Sequence, residues 1–233
     1  MQLSRLILNP RNAGARRDAS LPYELHRTLL RGLDASPSTF EERLLFRVEP
    51  ETGFGGPVVM VQSQNPPDWS PFLRNGYLVR ADGPKAFRPQ IEAGQVLHFR
   101  LVANPVIKKK AAGKKHSVRV PLIHLYREDN RTRFEDKRGE YAGYYDWLMR
   151  KGVQHGFSVI KAQDAPFRLS QRSRLGEAKS YEKRDIPHFG VRFDGELRVE
   201  DPVLLLEALR KGIGPAKAFG FGLLSLAPAS AAD

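Results

Sequence analysis

The chain has 233 residues, of which 41% are apolar and 27% charged, with a formal net charge of +12 and no cysteine. The composition is that of a folded protein, the length suits one large or two small domains, and the missing cysteine excludes disulfides, thiolate catalysis and cysteine-held zinc. No apolar run approaches the roughly 18 residues of a membrane-spanning helix, and the positive charge favours nucleic acid as the partner.

The first half of the chain reads as a strand, a helix and three further strands. Residues 1–10 carry Arg5 inside an apolar run and lack a small-residue cleavage site, so we interpret them as a strand rather than a signal peptide and expect a cytoplasmic protein. An Arg-rich loop through Arg11, Arg16 and Arg17 is expected to follow. The predicted elements are a strand at 3–10, a helix at 20–33 and strands at 43–50, 57–63 and 76–82. This order predicts a ferredoxin-like half whose second helix is short or missing.

The second half repeats this element order without a sequence repeat. A stretch of Pro, Gly and polar residues at 84–94 predicts a linker between domains at 1–83 and 95–233. Asp201 and Pro202 predict the start of a helix, and the sequence FDGE predicts a hairpin turn. The predicted elements are strands at 96–105 and 116–122 that lie side by side, a helix at 140–157 ending at Gly156, strands at 157–162 and 188–201, a helix at 201–214 and a strand at 220–228. The sequence thus predicts an α+β fold.

The helix at 20–33 carries the candidate catalytic residues. Its leucines recur at spacing four and predict one buried stripe. At roughly 100° per residue, Tyr23 and His26 lie beside this stripe, with Arg27 and Arg31 beyond them on the same exposed flank. The alternative is a solvated helix face on which Tyr23 and His26 merely cover the edge of the core.

Two segments of the second half concentrate positive charge. Residues 108–119 contain no acid and surround a glycine at which a hairpin can turn, and a basic two-stranded finger has the size to enter a groove or grip phosphates. Residues 168–174 repeat this pattern, which favours an extended phosphate track over a small ligand. The alternative for the first segment is a solvated loop. The candidate phosphate-binding residues of the two segments are Lys108, Lys109, Lys110, Lys114, Lys115, Arg119, Arg168, Arg172 and Arg174.

A Gly-rich segment at 212–226 surrounds Lys217. Glycine lets backbone N–H groups approach a phosphate closely, although the segment lacks the Gly-Lys-Ser/Thr ending of a P-loop and precedes a strand. The alternative is a flexible connection between helix and strand. Its glycines are Gly212, Gly214, Gly220 and Gly222.

Metal chemistry has little support in the sequence. The remaining histidines show no pair at metal-ligand spacing, and the acids form no cluster typical of two-metal nucleases. We therefore expect chemistry without a metal or another cofactor.

Six stretches carry a resemblance to a known family, and they follow one another along the chain as LSRLILNPRN, PYELHRTLLRG, RLLFRVEP, VVMVQSQNPPDW, FRLVANPVIKK and LRKGIGPAKAFGFGLLSLAP. In this order they resemble the CasE family of CRISPR-associated endoribonucleases of subtype I-E. The resemblance implies tandem ferredoxin-like (RRM-like) domains that bind the stem-loop of the CRISPR repeat transcript. It further implies metal-independent cleavage at the 3′ base of the stem, after which the protein stays bound as a subunit of the Cascade complex.

The resemblance also implies roles for particular residues. Tyr23 and His26 match the family's catalytic pair, Arg31 stands where relatives can carry a lysine near the scissile phosphate, and the Gly-rich loop with Lys217 matches a closing signature that supports the site. Cleavage through the ribose 2′-hydroxyl needs proton transfers and positive charge at the phosphate. We assign Tyr23 to orienting the 2′-hydroxyl, His26 to the leaving oxygen, and Arg27 or Arg31 to the phosphate, and the two proton roles can be exchanged.

Two other functions fit parts of the sequence. A noncatalytic protein that binds a structured RNA explains the charge equally well, with Tyr23 stacking on a base and His26 structural. It does not explain why the Tyr-His pair, the basic finger and the Gly-rich loop occur together. A DNA-binding protein ranks third, because nothing resembles a recognition-helix motif.

Overall fold

The computed structural model describes residues 1–33, 44–53, 55–110, 117–122, 143–172 and 185–229. Within these residues the helices are α1 (Ala13–Ser20), α2 (Pro22–Leu30), α3 (Ser70–Arg74), α4 (Tyr144–Gln154) and α5 (Pro202–Lys211). The strands are β1 (Gln2–Leu8), β2 (Leu45–Gly53), β3 (Gly56–Ser63), β4 (Leu78–Ala86), β5 (Val96–Ala103), β6 (Val106–Lys110), β7 (Ser117–Pro121), β8 (Phe157–Arg172), β9 (Asp185–Val199) and β10 (Leu224–Pro228). The fold is α+β, as predicted.

The first sheet has the order β2-β3-β1-β4, and every pair of neighbours is antiparallel. Its core joins alternate residues of the strands, such as Leu6, Leu8 and Phe46, to the apolar stripe of α2. The prediction of a short second helix is confirmed, since α3 has five residues. Strand β4 continues to Ala86, past the predicted domain boundary at residue 83.

The second sheet has the order β10-β5-β9-β8 and is also antiparallel. Its core packs one face of these strands against α4 and α5, with Trp147, Phe193 and Leu205 among the buried residues. When the strands of each sheet are numbered along the chain, both sheets have the order fourth, first, third, second. The two halves therefore share a topology that their sequences do not reveal.

Two ribbons of only two strands leave the second sheet at one end. Strand β5 pairs with β9 as far as Ala103 opposite Val191, whereas the β8–β9 pair continues to Arg172 opposite Asp185. Strand β6 begins just after the same end of β5 and pairs with β7. We call the β6–β7 pair the basic hairpin, and the β8–β9 pair beyond Val191 the ribbon arm.

The predicted Arg-rich loop is wrong for Arg16 and Arg17, which lie in α1, whereas Arg11 lies in the turn before this helix. The Asn12 side chain accepts a hydrogen bond from the Ala15 N–H at 3.0 Å and caps the helix. Alanines with high helix propensity follow, and Arg16 and Arg17 point to solvent. The loop prediction rests on the number of arginines and overlooks Asn12 as the N-cap of a helix.

Two strand predictions are also wrong. The FDGE sequence lies within β9 rather than in a turn, because Phe193 and Leu197 are buried in the core. Gly195 faces a bulge in β8, where an added Cβ would lie 2.0 Å from the Lys161 carbonyl oxygen. Strand β7 does not pair with β5, because β9 and β10 occupy both edges of β5.

Candidate active site

Helix α2 places the candidate catalytic pair. Pro22 occupies its first turn, and Leu25 and Leu29 are fully buried beneath it, as the leucine spacing predicts. The N-cap residue, Leu21, makes no capping hydrogen bond through its side chain. Packing rather than capping therefore holds the first turn of the helix, which carries Tyr23.

The buried carboxylate of Asp18 fixes how α2 sits on the sheet. Asp18 is 1% exposed and accepts hydrogen bonds from the Thr28 hydroxyl at 2.7 Å and the Tyr77 hydroxyl at 2.9 Å. Arg17 donates to its other oxygen at 2.8 Å. Burial and the neighbouring Asp18 raise the pKa of the Tyr77 hydroxyl, so that it remains a donor. Sequence reasoning missed this anchor because Asp18 stands in the segment that reads as a loop.

Tyr23 and His26 form a stacked pair on α2. Their ring centroids lie 6.5 Å apart at an interplanar angle of 21°. The Tyr23 side chain is 42% exposed, whereas His26 is half-buried, with its ring 6.0 Å from that of Phe46 on β2. The predicted adjacency of the two side chains is confirmed, and one ring faces solvent while the other reaches toward the core.

Burial lowers the pKa of His26 below its ordinary value. The cause is desolvation, which disfavours the charged imidazolium. In the free protein at neutral pH, His26 is therefore mainly neutral and has one ring nitrogen available to accept a proton. A phosphate placed beside the ring stabilises the charged imidazolium and therefore acts to raise the pKa of His26.

The Gly-rich loop brings a third ring to the pair. A 3₁₀ turn, Lys217–Phe219, lies against α2, and the Phe219 ring is 5.6 Å from that of Tyr23 at 30°. Phe219, Tyr23, His26 and Phe46 thus form a continuous row of aromatic rings. Sequence reasoning placed Lys217 and the glycines near the site but missed Phe219, for which no motif gave a signal.

The glycines of this loop allow close packing against β2. Gly212 has a φ of 72°, and an added Cβ would lie 2.9 Å from a methyl carbon of Leu45. Gly220 has a φ of 84°, and its added Cβ would lie 3.2 Å from the Phe46 ring. The N–H groups of Gly212, Gly220 and Gly222 donate to backbone carbonyls. Three of the four glycines therefore shape the loop with their N–H groups already paired.

A polar network that is buried at Arg47 and partly exposed at Arg100 joins the two sheets. Arg47 on β2 is 4% exposed, forms an ion pair with Glu49 at 2.6 Å and donates to the Leu223 carbonyl at 3.3 Å. Arg100 on β5 bridges Glu49 at 3.1 Å and Asp194 at 2.5 Å. The network thus ties β2 to the chain that follows the Gly-rich loop. Sequence reasoning missed it, although charged residues alternate with apolar ones in these strands.

A hydrogen bond from a neutral side chain also crosses the interface. Gln62 on β3 donates to the Leu209 carbonyl of α5 at 2.6 Å. The face of the first sheet opposite α2 is thus held against α5 and the loop.

The candidate phosphate-binding cations of α2 and of the Gly-rich loop differ in their exposure to solvent. Arg27 is exposed and lies 3.3 Å from Glu24, and Arg31 is exposed at the C-cap of α2. Lys217 is half-buried. Burial first, and then the charges of Lys151 and Lys217, lower the pKa of His155, which places Lys217 near the end of α4.

The structure describes the backbone of the two basic segments in part. In the basic hairpin, Lys108 is the register partner of Arg119, and Lys109 and Lys110 follow along β6. Arg168 and Arg172 lie on the β8 side of the ribbon arm. Lys114, Lys115 and Arg174, together with the predicted turn of the hairpin, lie outside the described residues.

The two ribbons and the Gly-rich loop meet at one end of β5. The Gly222 N–H donates to the Val102 carbonyl at 2.7 Å, next to the end of the strand from which both ribbons leave. At the root of the arm, the Phe167 ring lies 6.3 Å from that of Phe221 in the loop. The roots of both ribbons therefore lie beside the loop whose Phe219 contacts Tyr23.

The residues that the structure describes contain neither a candidate metal cluster nor a candidate membrane-spanning helix. They contain no group of three or more His, Asp or Glu residues that could hold a metal ion. No helix in the same ranges is both long enough and apolar enough to cross a membrane.

The geometry defines a basic α+β protein with a Tyr-His pair at the junction of two sheets, and comparisons with known proteins define its family. A family model described as CRISPR associated protein matches residues 1–228. The CRISPR-associated endoribonuclease Cse3 of Thermus thermophilus is 37% identical over 235 residues, which cover 98% of this chain and 100% of that protein. The CRISPR system Cascade subunit CasE of Escherichia coli is 28% identical over 215 residues, covering 88% and 92% respectively.

A solved structure shows the same likeness in three dimensions. CRISPR endoribonuclease Cse3 bound to a 19 nt RNA matches with a TM-score of 0.75 at 36% sequence identity, covering 98% of this chain and 100% of that chain. The chain therefore belongs to the CRISPR-associated protein family, in the branch of Cse3 and CasE that the sequence resemblance indicates.

Proposed function

We propose that this chain is an endoribonuclease that acts in the cytoplasm on CRISPR repeat RNA. It binds the stem-loop of the repeat transcript, cuts at the 3′ base of the stem without a metal, and stays bound as a subunit of the Cascade complex. The observation that carries the proposal is the stacked Tyr23–His26 pair, at 6.5 Å between ring centroids, which contacts a loop at the roots of two basic ribbons. The names of the similar proteins, an endoribonuclease and a Cascade subunit, support the same function.

The fold that we propose is a pair of ferredoxin-like domains, divided by the linker at 84–94. The shared strand order of the two sheets supports this assignment, because a βαββαβ unit places its fourth strand beside its first and its third between the first and second. Helices α2 and α3 of the first unit, and α4 and α5 of the second, occupy the two helix positions.

The proposed reaction uses the RNA as its own nucleophile. The 2′-oxygen forms a bond to the adjacent phosphorus while its proton leaves to solvent, and Tyr23 orients the hydroxyl. The bond from phosphorus to the 5′-oxygen breaks, and His26 supplies the proton that this oxygen takes up. The products are a 2′,3′-cyclic phosphate and a 5′-hydroxyl. Arg27 or Arg31 stabilises the charge of the phosphorane.

The arrangement of cations suits a double-stranded RNA stem. Arg27 is held only by an exposed pair with Glu24, and such pairs contribute little, so a phosphate can replace the carboxylate. The basic hairpin and the ribbon arm extend the positive track beyond the site, with the candidate cations Lys108, Lys109, Lys110, Arg119, Arg168 and Arg172 along their strands.

The test is incubation of the protein with a labelled repeat hairpin in EDTA, followed by analysis of the product ends. We expect cleavage at the base of the stem with a 5′-hydroxyl and a 2′,3′-cyclic phosphate, or a 3′-phosphate after the ring opens. Replacement of the 2′-hydroxyl beside the scissile phosphate by hydrogen should stop cleavage and preserve binding. A strict Mg²⁺ requirement with 5′-phosphate products contradicts the mechanism, and tight binding without cleavage indicates a noncatalytic RNA-binding protein.

A further inference from the structure

Phe219 lies closer to Tyr23 than His26 does. Its ring centroid is 5.6 Å from that of Tyr23, compared with 6.5 Å between Tyr23 and His26. Phe219 belongs to the second half of the chain and Tyr23 to the first, so this contact exists only when the two halves are packed together. The site is therefore completed across the junction of the two sheets.

Tyr23 needs such support because its own helix constrains it weakly. It lies in the first turn of α2, whose N-cap makes no side-chain hydrogen bond, and it is 42% exposed. An exposed ring in a first turn can change its rotamer without losing core packing. The ring of Phe219, stacked on that of Tyr23, restricts this movement.

The loop that carries Phe219 is fixed at both ends. Ala216 and Gly220, on either side of the 3₁₀ turn, both have left-handed backbone conformations, with φ of 61° and 84°. The Ile213 N–H donates to the Gly222 carbonyl at 2.9 Å, and Arg47 holds the Leu223 carbonyl at 3.3 Å. Phe219 is thus presented to Tyr23 by a loop whose backbone is pinned to β2 and to itself.

The chemistry of phenylalanine limits what Phe219 can do in the site. Its side chain has no atom that can transfer a proton or bind a phosphate oxygen, so any effect on cleavage must pass through a neighbour. A stacked aromatic pair supplies a preferred geometry, and small displacements of a catalytic group are costly.

We infer that Phe219 is a positioning residue that clamps the Tyr23 ring so that its hydroxyl is held where the ribose 2′-hydroxyl binds. This inference rests on the function proposed above. It makes the Gly-rich loop part of the catalytic site through one ring contact, in addition to any role of Lys217 in binding RNA.

The first test is a double-mutant cycle measured as single-turnover cleavage at saturating hairpin. Phe219→Leu should lower the rate about tenfold to a hundredfold, the cost of a small misplacement, while hairpin affinity changes by less than about twofold. In a Tyr23→Phe background, which lacks the hydroxyl, Phe219→Leu should cause no further loss. Phe219→Tyr, which keeps the ring, should restore the wild-type rate. An equal loss in both backgrounds overturns the clamp.

A matched control and a second readout separate the clamp from general damage. Tyr145 on α4 has the same 42% exposure as Tyr23, and Tyr145→Leu should leave the cleavage rate unchanged. The seven tyrosines can be labelled as 3-fluorotyrosine, and the Tyr23 fluorine signal is identified by its loss in Tyr23→Phe. Phe219→Leu should shift this signal in the folded protein without RNA.

The outcomes distinguish the clamp from the proposed function. A Tyr23→Phe protein that cuts at the wild-type rate overturns the proposed role of Tyr23, and with it the role of Phe219. An unmoved fluorine signal in Phe219→Leu overturns the role of Phe219 alone. A shifted signal together with a rate loss that depends on the Tyr23 hydroxyl supports both.

Discussion

The row of rings at the junction and the two basic ribbons are built in opposite ways. Tyr23 and His26 stand on a helix that is anchored by Asp18 and packed against Phe46 and Phe219. Within the residues that the structure describes, the basic hairpin and the ribbon arm are two-stranded ladders whose strands pair only with each other. Proton transfer depends on distances that vary by tenths of an ångström, whereas attraction to phosphates acts over several ångströms. The rigid region is thus suited to chemistry and the extended region to binding.

Among changes in the row of rings and in the basic ribbons, we expect the largest effect on the cleavage rate at His26. His26→Ala should lower the single-turnover rate about a hundredfold to ten-thousandfold, the usual contribution of a general acid or base, and leave hairpin affinity nearly intact. Rate and affinity are measured on the same labelled hairpin. His98→Ala, at an exposed position on β5, is the control and should cut normally. If His26→Ala cuts at nearly the wild-type rate, His26 only packs against Phe46.

Changes in the basic hairpin should lower RNA affinity rather than the cleavage rate. Replacing Lys108, Lys109 and Lys110 together by glutamine should weaken binding and reduce the slope of log affinity against log salt by about 0.7–0.9 for each lost phosphate contact. The single-turnover rate at saturating RNA should change little. The control is a triple variant with the same change of charge at exposed positions of the first half, made of Arg74→Gln, Lys85→Gln and Arg88→Gln. A slope equal to that of the wild type means that these three lysines contact no phosphate.

The same comparison explains which features the sequence could predict. The stripe of α2 and the adjacency of Tyr23 and His26 follow from a period of 3.6 residues, which is local information. The contact of Phe219 with Tyr23 joins distant parts of the chain and depends on how the two sheets pack. No spacing in the sequence encodes such a contact. The sequence therefore predicts the adjacency of Tyr23 and His26 but not the contact of Tyr23 with Phe219.

The wrong predictions share a physical cause, which is that local signals were overridden by packing. An Asp-Gly pair is a strong turn signal, but Gly195 meets a bulge of β8 and the strand continues through it. Three arginines suggested a loop, whereas Asn12 caps a helix and Asp18 enters the core. The ion pair between Glu49 on β2 and Arg100 on β5 has no local signal at all, because these two strands belong to different sheets.

The anchoring of α2 can be tested through Asp18. Asp18→Asn keeps the shape of the side chain but weakens two charge-assisted hydrogen bonds and turns an amide toward Arg17. We expect the free energy of unfolding to fall by about 1–3 kcal/mol, measured by urea denaturation. The control is Asp164→Asn at an exposed position of β8, which should lie within about 0.5 kcal/mol of the wild type. Equal stability of both variants means that apolar packing, including that of Leu25 and Leu29, holds α2 without the Asp18 hydrogen bonds.

The smallest expected effect is the pH dependence of cleavage, which decides how the two proton roles are divided. Burial lowers the pKa of His26, and kcat/KM reports groups of the free enzyme. If His26 must give a proton to the leaving oxygen, only the imidazolium is active. The value of kcat/KM should then fall as pH rises above the lowered pKa, by at most about tenfold per pH unit. If His26 instead accepts the proton of the 2′-hydroxyl, kcat/KM should rise through the same range and then level off.

The assignment of that titration to His26 requires a control, because burial and two lysines also lower the pKa of His155. His155→Gln should retain the wild-type profile, whereas the residual cleavage of His26→Ala should lose the inflection below pH 6.5, the ordinary value for histidine. A profile that falls with pH supports the assignment of His26 to the leaving oxygen and of Tyr23 to the 2′-hydroxyl. A rising profile exchanges the two roles. His26 then accepts the proton of the 2′-hydroxyl, and Phe219 clamps Tyr23 beside the leaving oxygen.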